Sequence, residues 1–207
     1  LWLNEGGQSA AGAAVEQLIQ MHPHSPEATH AAREAGQSLA SWLGREAENR
    51  GGAAAVPKLV GEVHVVPEFL GNRAPFADPD ARALIAGLGV ETGIDSLVGL
   101  YVAGLCGLGY GARQIVRAER EKGIAVDTIV VSGGAAQSAL VRQILADTNG
   151  LTVAASSSPE PVLLGSAMLG AVASGDQADL RQAMETMSTL GETYAPQPDL
   201  ADWHERR

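Results

Sequence analysis

The sequence predicts an α/β domain, and two observations carry that prediction. The second half of the chain runs helix, strand, glycine turn, helix, strand, helix, the order of a layered α/β architecture. At its centre the β-branched run Thr128-Ile129-Val130-Val131 enters Ser132-Gly133-Gly134-Ala135, and a helix-like segment follows at once. A strand that turns sharply into a helix brings unsatisfied backbone N–H groups and the positive end of the helix dipole to one point. That suits a phosphate or another anion. By pattern alone the same residues also describe a tight β-to-α turn with no ligand.

Taken in order, Leu1–Glu5 reads as the end of a strand and Gly6-Gly7 as a turn. Ser9 then reads as the cap of a helix over about 10–21, with Val15, Leu18, Ile19 and His22 on one face. After Pro23 and Pro26 the pattern predicts one long polar helix over 27–50, with Leu39, Trp42 and Leu43 as its apolar stripe. Residues 63–70 have strand composition, and Pro67 places them at an edge. The turn-rich segment 71–79 follows, with Arg73 and Asp78 placed to pair across it, and then a short helix over 80–86. Asp95 or Ser96 caps the longest apolar-periodic run, 97–121, which ends at Gly123. Its glycines at 99, 104, 107, 109 and 111 would cost an isolated helix roughly 1 kcal/mol each, so other elements are expected to pack closely on them. Beyond the glycine turn the pattern gives a helix over 138–148, a strand over 151–155 and a helix over 161–173. A last amphipathic helix over 177–190 buries Leu180, Met184, Met187 and Leu190. Residues 1–195 are read as the domain, and 196–207 as a polar, loosely held tail.

The composition, 45% hydrophobic and 18% charged over 207 residues, is that of a globular chain with one sizeable core or two small ones. A formal charge of −10 argues against a nucleic-acid or membrane-surface binder, though not against a local site for ATP. The single cysteine, Cys106, excludes an internal disulfide and fits a reducing cytoplasm. The apolar stretch 97–108 is too short to cross a bilayer. The start on Leu1-Trp2-Leu3, without methionine, reads as a cut through a longer protein.

Several motifs fail. No Gly-x-x-x-x-Gly-Lys-Ser/Thr loop is present and the only lysines are Lys58 and Lys122, which excludes a P-loop NTPase within this stretch. Residues 104–111 imitate a dinucleotide fingerprint but lie inside a helical period with no strand before them, so a nicotinamide-dependent dehydrogenase is disfavoured. Gly7-Gln8-Ser9-Ala10-Ala11 lacks the last glycine of a hydrolase nucleophile elbow. His22, His24, His30, His64 and His204 have no metal-ligand spacing and are expected at the surface, as are Arg206 and Arg207. Glu5, where a strand meets two glycines, could meet a polar ligand or simply open the turn before a helix.

Three stretches together resemble the FGGY family of carbohydrate kinases, in its ribulokinase and ribitol kinase-like branch. They are Trp2-Leu3-Asn4-Glu5-Gly6-Gly7-Gln8-Ser9-Ala10-Ala11-Gly12; Gly71-Asn72-Arg73-Ala74-Pro75 with Asp78-Pro79; and Ser132-Gly133-Gly134-Ala135 with Ser138, Gln143, Ala146 and Asp147. Their order and separations also agree, and together they cover nearly the whole chain. The family's second signature, expected around 83–105, is only partly met.

The resemblance implies an actin-like, ribonuclease-H-like ATPase fold, with this chain as the C-terminal half of a two-domain sugar kinase. It implies an enzyme that uses ATP and Mg2+ to phosphorylate a hydroxyl of a ketopentose or pentitol, such as ribulose or ribitol. By the same resemblance, Gly133, Gly134 and Ala135 approach the phosphates and nucleoside through their backbone, Ser138 lies near the adenine or ribose, and Glu5 binds hydroxyls of the sugar. The catalytic aspartate belongs upstream of Leu1, so this stretch holds no catalytic residue and no metal ligand and is expected to be inactive alone. The expected partners are ATP, a small sugar or sugar alcohol and the N-terminal kinase domain, with a homodimer allowed. The alternative is a non-catalytic actin-fold module that binds nucleotide for regulation or assembly.

Overall fold

The computed structural model describes residues 6–52, 55–132, 137–158 and 160–207. The expected strand end at 1–5 lies outside them. Everything is arranged around one helix, α4 (Ile94–Glu121), of 28 residues. Its first half is buried almost without interruption from Leu97 to Gly107. By length and composition it could cross a bilayer, which the shorter stretch read from the sequence could not. However, 67% of its apolar window is buried inside this fold, where it serves as the core helix.

Its glycines explain how so much can converge on it. A Cβ on Gly99 would stand 2.9 Å from the Leu59 carbonyl oxygen, in the 3-10 turn Val56–Val60. One on Gly104 would stand 2.7 Å from Leu18 Cδ1, on α1 (Ala11–Gln20). A Cβ on Gly107 would overlap the Val65 carbonyl of strand β1 (His64–Val66). Gly109 admits the Thr148 side chain from α5 (Ala139–Asn149), and Gly111 admits Gln8. Each missing side chain seats a different element. The close packing expected of these glycines is what the helix displays.

The N-terminal helices differ from the sequence reading in two places. Helix α1 starts at Ala11 with Ala10, at φ 52°, in the N-cap position, and no side chain caps it, so Ser9 is not its cap. The single long helix expected over 27–50 is two, α2 (Ser25–Glu34) and α3 (Leu39–Gly51). Gly36 at φ 65° ends the first, and the Ser38 hydroxyl caps the second by accepting from Ser41 N–H. His22 is buried at the α1–α2 turn rather than solvated. Its Nδ1 accepts from His24 N–H, so Nε2–H donates to Ser96 Oγ at 3.0 Å, and Ser96 in turn donates to the Gly93 carbonyl at the start of α4. Asp95 meets Arg50 of α3 at 2.7 Å instead of capping α4.

Strand β1 pairs antiparallel with β2 (Leu84–Ala86), where the sequence suggested a helix over 80–86. The main sheet has the order β3-β4-β5. Strand β3 (Thr128–Val131) runs parallel to β4 (Thr152–Ser156), joined through α5, and β5 (Leu190–Tyr194) runs antiparallel to β4. Helix α6 (Pro161–Ser174) follows β4 and packs with α7 (Leu180–Met187). The last helix is shorter than expected and Leu190 opens a strand. Leu180, Met184 and Leu190 are 40%, 53% and 58% exposed, and only Ala183 of α7 is fully buried.

The tail is docked, not loose. After a 3-10 turn at Pro198–Leu200, helix α8 (Ala201–Arg206) buries Leu200 and His204. His204 Nδ1 lies 3.0 Å from the Tyr110 hydroxyl of α4, and Trp203 meets the imidazole edge to face at 4.8 Å. Arg207 donates from Nη1 to the Gly61 carbonyl at 2.7 Å and from Nη2 to that of Val63, tying the chain end to the approach of β1. Burial, reinforced by the charges of Arg113 and Arg207, pushes the His204 pKa down to about 4.

Two expected outcomes follow from this packing. Gly107→Ala gains about 1 kcal/mol of helix propensity but forces a methyl into the Val65 backbone, where overpacking costs about 1–3 kcal/mol, so the variant melts lower. Gly170→Ala on α6, where an added Cβ would meet nothing within 4 Å beyond its own stretch of helix, melts higher. Equal shifts of the two in a denaturation experiment would remove the case for a glycine seam. For His204 the folded pKa lies below the ordinary 6.5, so its contribution to stability is complete above pH 6.5 and lost as pH falls towards 4. The melting temperature of His204→Gln should therefore fall less steeply than that of the parent between those values. Parallel curves would show that the imidazole is not held neutral.

Candidate functional site

Strands β3 and β4 are parallel, so their C-terminal ends, Val131 and Ala155, open on the same edge of the sheet. Helices α5 and α6 follow these strand ends in the chain, and α5, the crossover from β3 back to the start of β4, has its N-terminus at that edge. In open α/β sheets this is where ligands bind, because orphan N–H groups and positive dipole ends gather there. Gly133, Gly134 and Ala135 lie outside the described residues. The structure fixes both flanks of that loop: β3 before it and Ser138 after it.

Ser138 is the N-cap of α5. It has extended backbone, with φ −105° and ψ 115°, and its Oγ accepts from Val141 N–H at 3.3 Å. The hydroxyl hydrogen is left to donate elsewhere. The first turn of α5 carries no acidic residue, so nothing there competes with an incoming anion. One turn on, Arg142 donates to the Tyr194 hydroxyl at 3.0 Å and stacks on the Tyr194 ring at 4.6 Å.

Two further residues of the same motif act in the architecture. Gln143 donates to Asp147 at 2.8 Å and to the Ala195 carbonyl at 2.9 Å. The buried Asp147 carboxylate accepts from Gln197 through both backbone N–H, at 2.7 Å, and side chain, at 2.9 Å. They pin the entrance of the C-terminal tail beside the helix that the glycine loop begins.

Glu5 also lies outside the described residues, but the residues after it are placed. Gly6 has no room for a side chain, and Gly7 is in ordinary contact distance of its neighbour. A Cβ on Gly6 would overlap Ile115 of α4, and one on Gly7 would lie 3.4 to 3.5 Å from the Arg73 side chain. Gln8 donates to the Leu108 carbonyl at 2.7 Å. The two segments that the sequence marked out separately, 6–8 and 71–79, are therefore brought together on α4. The turn of 71–79 is closed by Asn72, whose N–H donates to the Asp78 carbonyl at 2.7 Å. Asn72 also accepts from Phe76 N–H at 3.0 Å and donates to Glu68 at 2.7 Å. The closure read for Arg73 with Asp78 is thus carried by Asn72.

A feature the sequence reading missed is a cleft of about 340 Å³ between β1, the second half of α4 and α8. It needed the tail in place. The tail's own spacing, Leu200, Trp203, His204 and Arg207, is the helical signal that could have revealed it. Among the described residues no group of three His, Cys, Asp or Glu side chains is arranged to hold a metal.

The chain matches the family model described as "FGGY family of carbohydrate kinases, C-terminal domain" over residues 1–174. It is 35% identical over 208 residues to an FGGY carbohydrate kinase domain-containing protein of Danio rerio, covering 100% of this chain and 38% of that one. To a D-ribulokinase of Saccharomyces cerevisiae it is 33% identical over 179 residues, covering 84% of this chain and 25% of that one. Among solved structures, xylulose kinase from Rhodospirillum rubrum superposes with a TM-score of 0.71 at 25% identity, covering 97% of this chain and 36% of that one. The chain spans 25–38% of the length of these relatives. With the actin-like ATPase fold of those sugar kinases and a family match over most of its residues, the chain belongs to the FGGY family of carbohydrate kinases, as its C-terminal domain.

Proposed function

We propose that this domain is the nucleotide-binding half of an ATP-dependent kinase that phosphorylates a hydroxyl of a ketopentose or pentitol of the ribulose or ribitol class. The observation that carries this reading is the start of α5: a capped helix N-terminus, free of acidic residues in its first turn, at the C-terminal edge of a parallel strand pair. The D-ribulokinase relative supports the choice of sugar.

In this reading Gly133, Gly134 and Ala135 let the backbone approach the phosphates and nucleoside, since a side chain there would hold the ligand off. Ser138 donates its free hydroxyl hydrogen to the adenine or ribose while its oxygen caps the helix. Glu5 accepts from sugar hydroxyls, and the glycine that follows it is wedged on Ile115 of α4. Mg2+ enters bound to the ATP phosphates, as it does where a protein offers few ligands of its own. Phosphoryl transfer asks mainly for positioning and charge stabilisation, and a water-free site prevents hydrolysis from competing. The base that takes the proton of the attacking hydroxyl is assigned upstream of Leu1. Cys106, a buried and unpaired thiol, accords with a cytoplasmic setting.

Three outcomes are expected. In the full-length kinase, Gly134→Val raises KM for ATP, and an unchanged KM would reduce the loop to a turn. Glu5→Gln raises KM for ribulose about tenfold or more, the scale of one lost charge-assisted hydrogen bond, without altering KM for ATP. The isolated 207-residue chain binds nucleotide but does not phosphorylate ribulose or ribitol. ATP-dependent turnover by the chain alone would overturn the placement of the base.

A further inference from the structure

We propose that the cleft between α4, β1 and α8 is a binding site for a small phosphomonoester, and that the tail residue Glu205 occupies the seat of its phosphate. The site is separate from the α5 N-terminus and does not depend on the kinase reading.

Arg113 and Arg117 stand one turn apart on α4, both on the cleft wall, and both turn their guanidinium groups onto the Glu205 carboxylate. Arg117 Nη2 lies 3.1 Å from each carboxylate oxygen, and Arg113 donates to Oε2. Two guanidinium groups thus converge on one monoanion, each through a single nitrogen. Their two positive charges exceed the one negative charge between them, and their remaining N–H donors suit the charge and the three terminal oxygens of a phosphate ester. The wall sums to a positive site, with three arginines against Glu68 and Glu205, on a chain whose formal charge is −10. Such a reversal of sign in a concave, partly apolar cleft favours an anion there over the rest of the surface.

Two residues of the cleft wall also carry buried polar atoms with nothing to satisfy them. His204 is 2% exposed, its Nδ1 is engaged by Tyr110, and its Nε2 has no hydrogen-bond partner among the described residues. The same is true of Arg207 Nε. Native interiors rarely leave such atoms orphaned, and both belong to residues on the cleft wall. Both atoms are closed off while α8 is docked, and a ligand with hydroxyl or ester oxygens beside its phosphate would satisfy them once α8 shifts. The volume of about 340 Å³ takes a small organic body as well as the phosphate.

Glu205 is well suited to being displaced. Its side chain is 57% exposed and sits on a six-residue helix at the chain end, held by ion pairs of the kind that contribute little at a surface. A phosphate entering between Arg113 and Arg117 would release it and shift α8, whose other anchors, His204 on Tyr110 and Arg207 on Gly61 and Val63, border the same cleft.

The test is a titration of the isotopically labelled 207-residue chain with glycerol 3-phosphate, inorganic phosphate and glycerol. The readout is the indole N–H resonance of Trp203, which packs on His204 and Arg207 and is remote in sequence from the nucleotide loop. Saturable shifts are expected with both phosphates, tighter with glycerol 3-phosphate, and none with glycerol. Glu205→Gln should tighten binding about fivefold by removing the internal competitor, a gain that a damaged fold could not mimic. Arg113→Gln should abolish the response. The proposal is overturned if Trp203 stays still up to about 10 mM of either phosphate, weaker than any useful affinity for a metabolite. It is also overturned if Glu205→Gln binds no tighter, and equal affinity for the two phosphates would overturn the assignment of the cleft to the ligand's organic body.

Discussion

The fold depends on one helix having no side chains where other elements need to reach its backbone. Helix α4 meets the Val56–Val60 turn, α1, β1, α5 and the Gln8 segment at Gly99, Gly104, Gly107, Gly109 and Gly111 in turn. In isolation these residues would weaken a helix, at roughly 1 kcal/mol apiece. Here the loss is offset by burial along most of the first half of the helix, where Leu97, Val98 and Val102 are completely enclosed. The same exchange sets the sites. Gly111 seats Gln8, which fixes the turn that follows Glu5, and Gly109 seats Thr148, which fixes the helix whose first turn follows the glycine loop. A defect in the seam would therefore reach both ends of the proposed active site before it reached any residue that touches a ligand.

What could be read from the sequence followed from how local its physical cause was. The strand into Gly133-Gly134 and the span of α5 rest on neighbours in the chain, and the structure keeps both described flanks as expected. The glycines of α4 were legible as a packing surface, because a helix loses stability at every such gap unless a neighbour fills it. The elements misread were decided by distant partners. Residues 84–86 are a strand because β1 offers them a ladder, not because their composition demands it. The break at Gly36 depends on a positive φ that a periodic apolar pattern does not register. His22 and His204 appeared solvated because a lone histidine carries no pattern, and each is buried against a hydroxyl from a remote segment, Ser96 and Tyr110.

The motif around α5 divides its labour in a way the sequence does not announce. Ser138 lies at the helix start and, in the function proposed above, keeps a donor for the nucleotide. Gln143 and Asp147, four residues apart on one face, are consumed by Ala195 and Gln197. Residues that travel together in one motif can thus serve contact and scaffold separately. Asp147 is the clearer example, since a buried carboxylate needs its acceptors filled and Gln197 fills them from backbone and side chain at once.

That anchor gives the tail its meaning. Starting at Gln197, the chain is held first to α5, then through His204 and Glu205 to α4, and last through Arg207 to the approach of β1. A segment of polar composition at a chain end therefore spans three elements that share the α4 seam, including the helix whose N-terminus faces the proposed nucleotide edge. Its attachments are unequal. The Asp147 and His204 ends are buried, whereas the Glu205 pairs stand in solvent and are screened there. Loosening would start at Glu205 and propagate towards α5 only if His204 followed. The tail is thus a graded clasp on the same helix that holds the sheet edge in place, with its weakest point exposed to anions in solution.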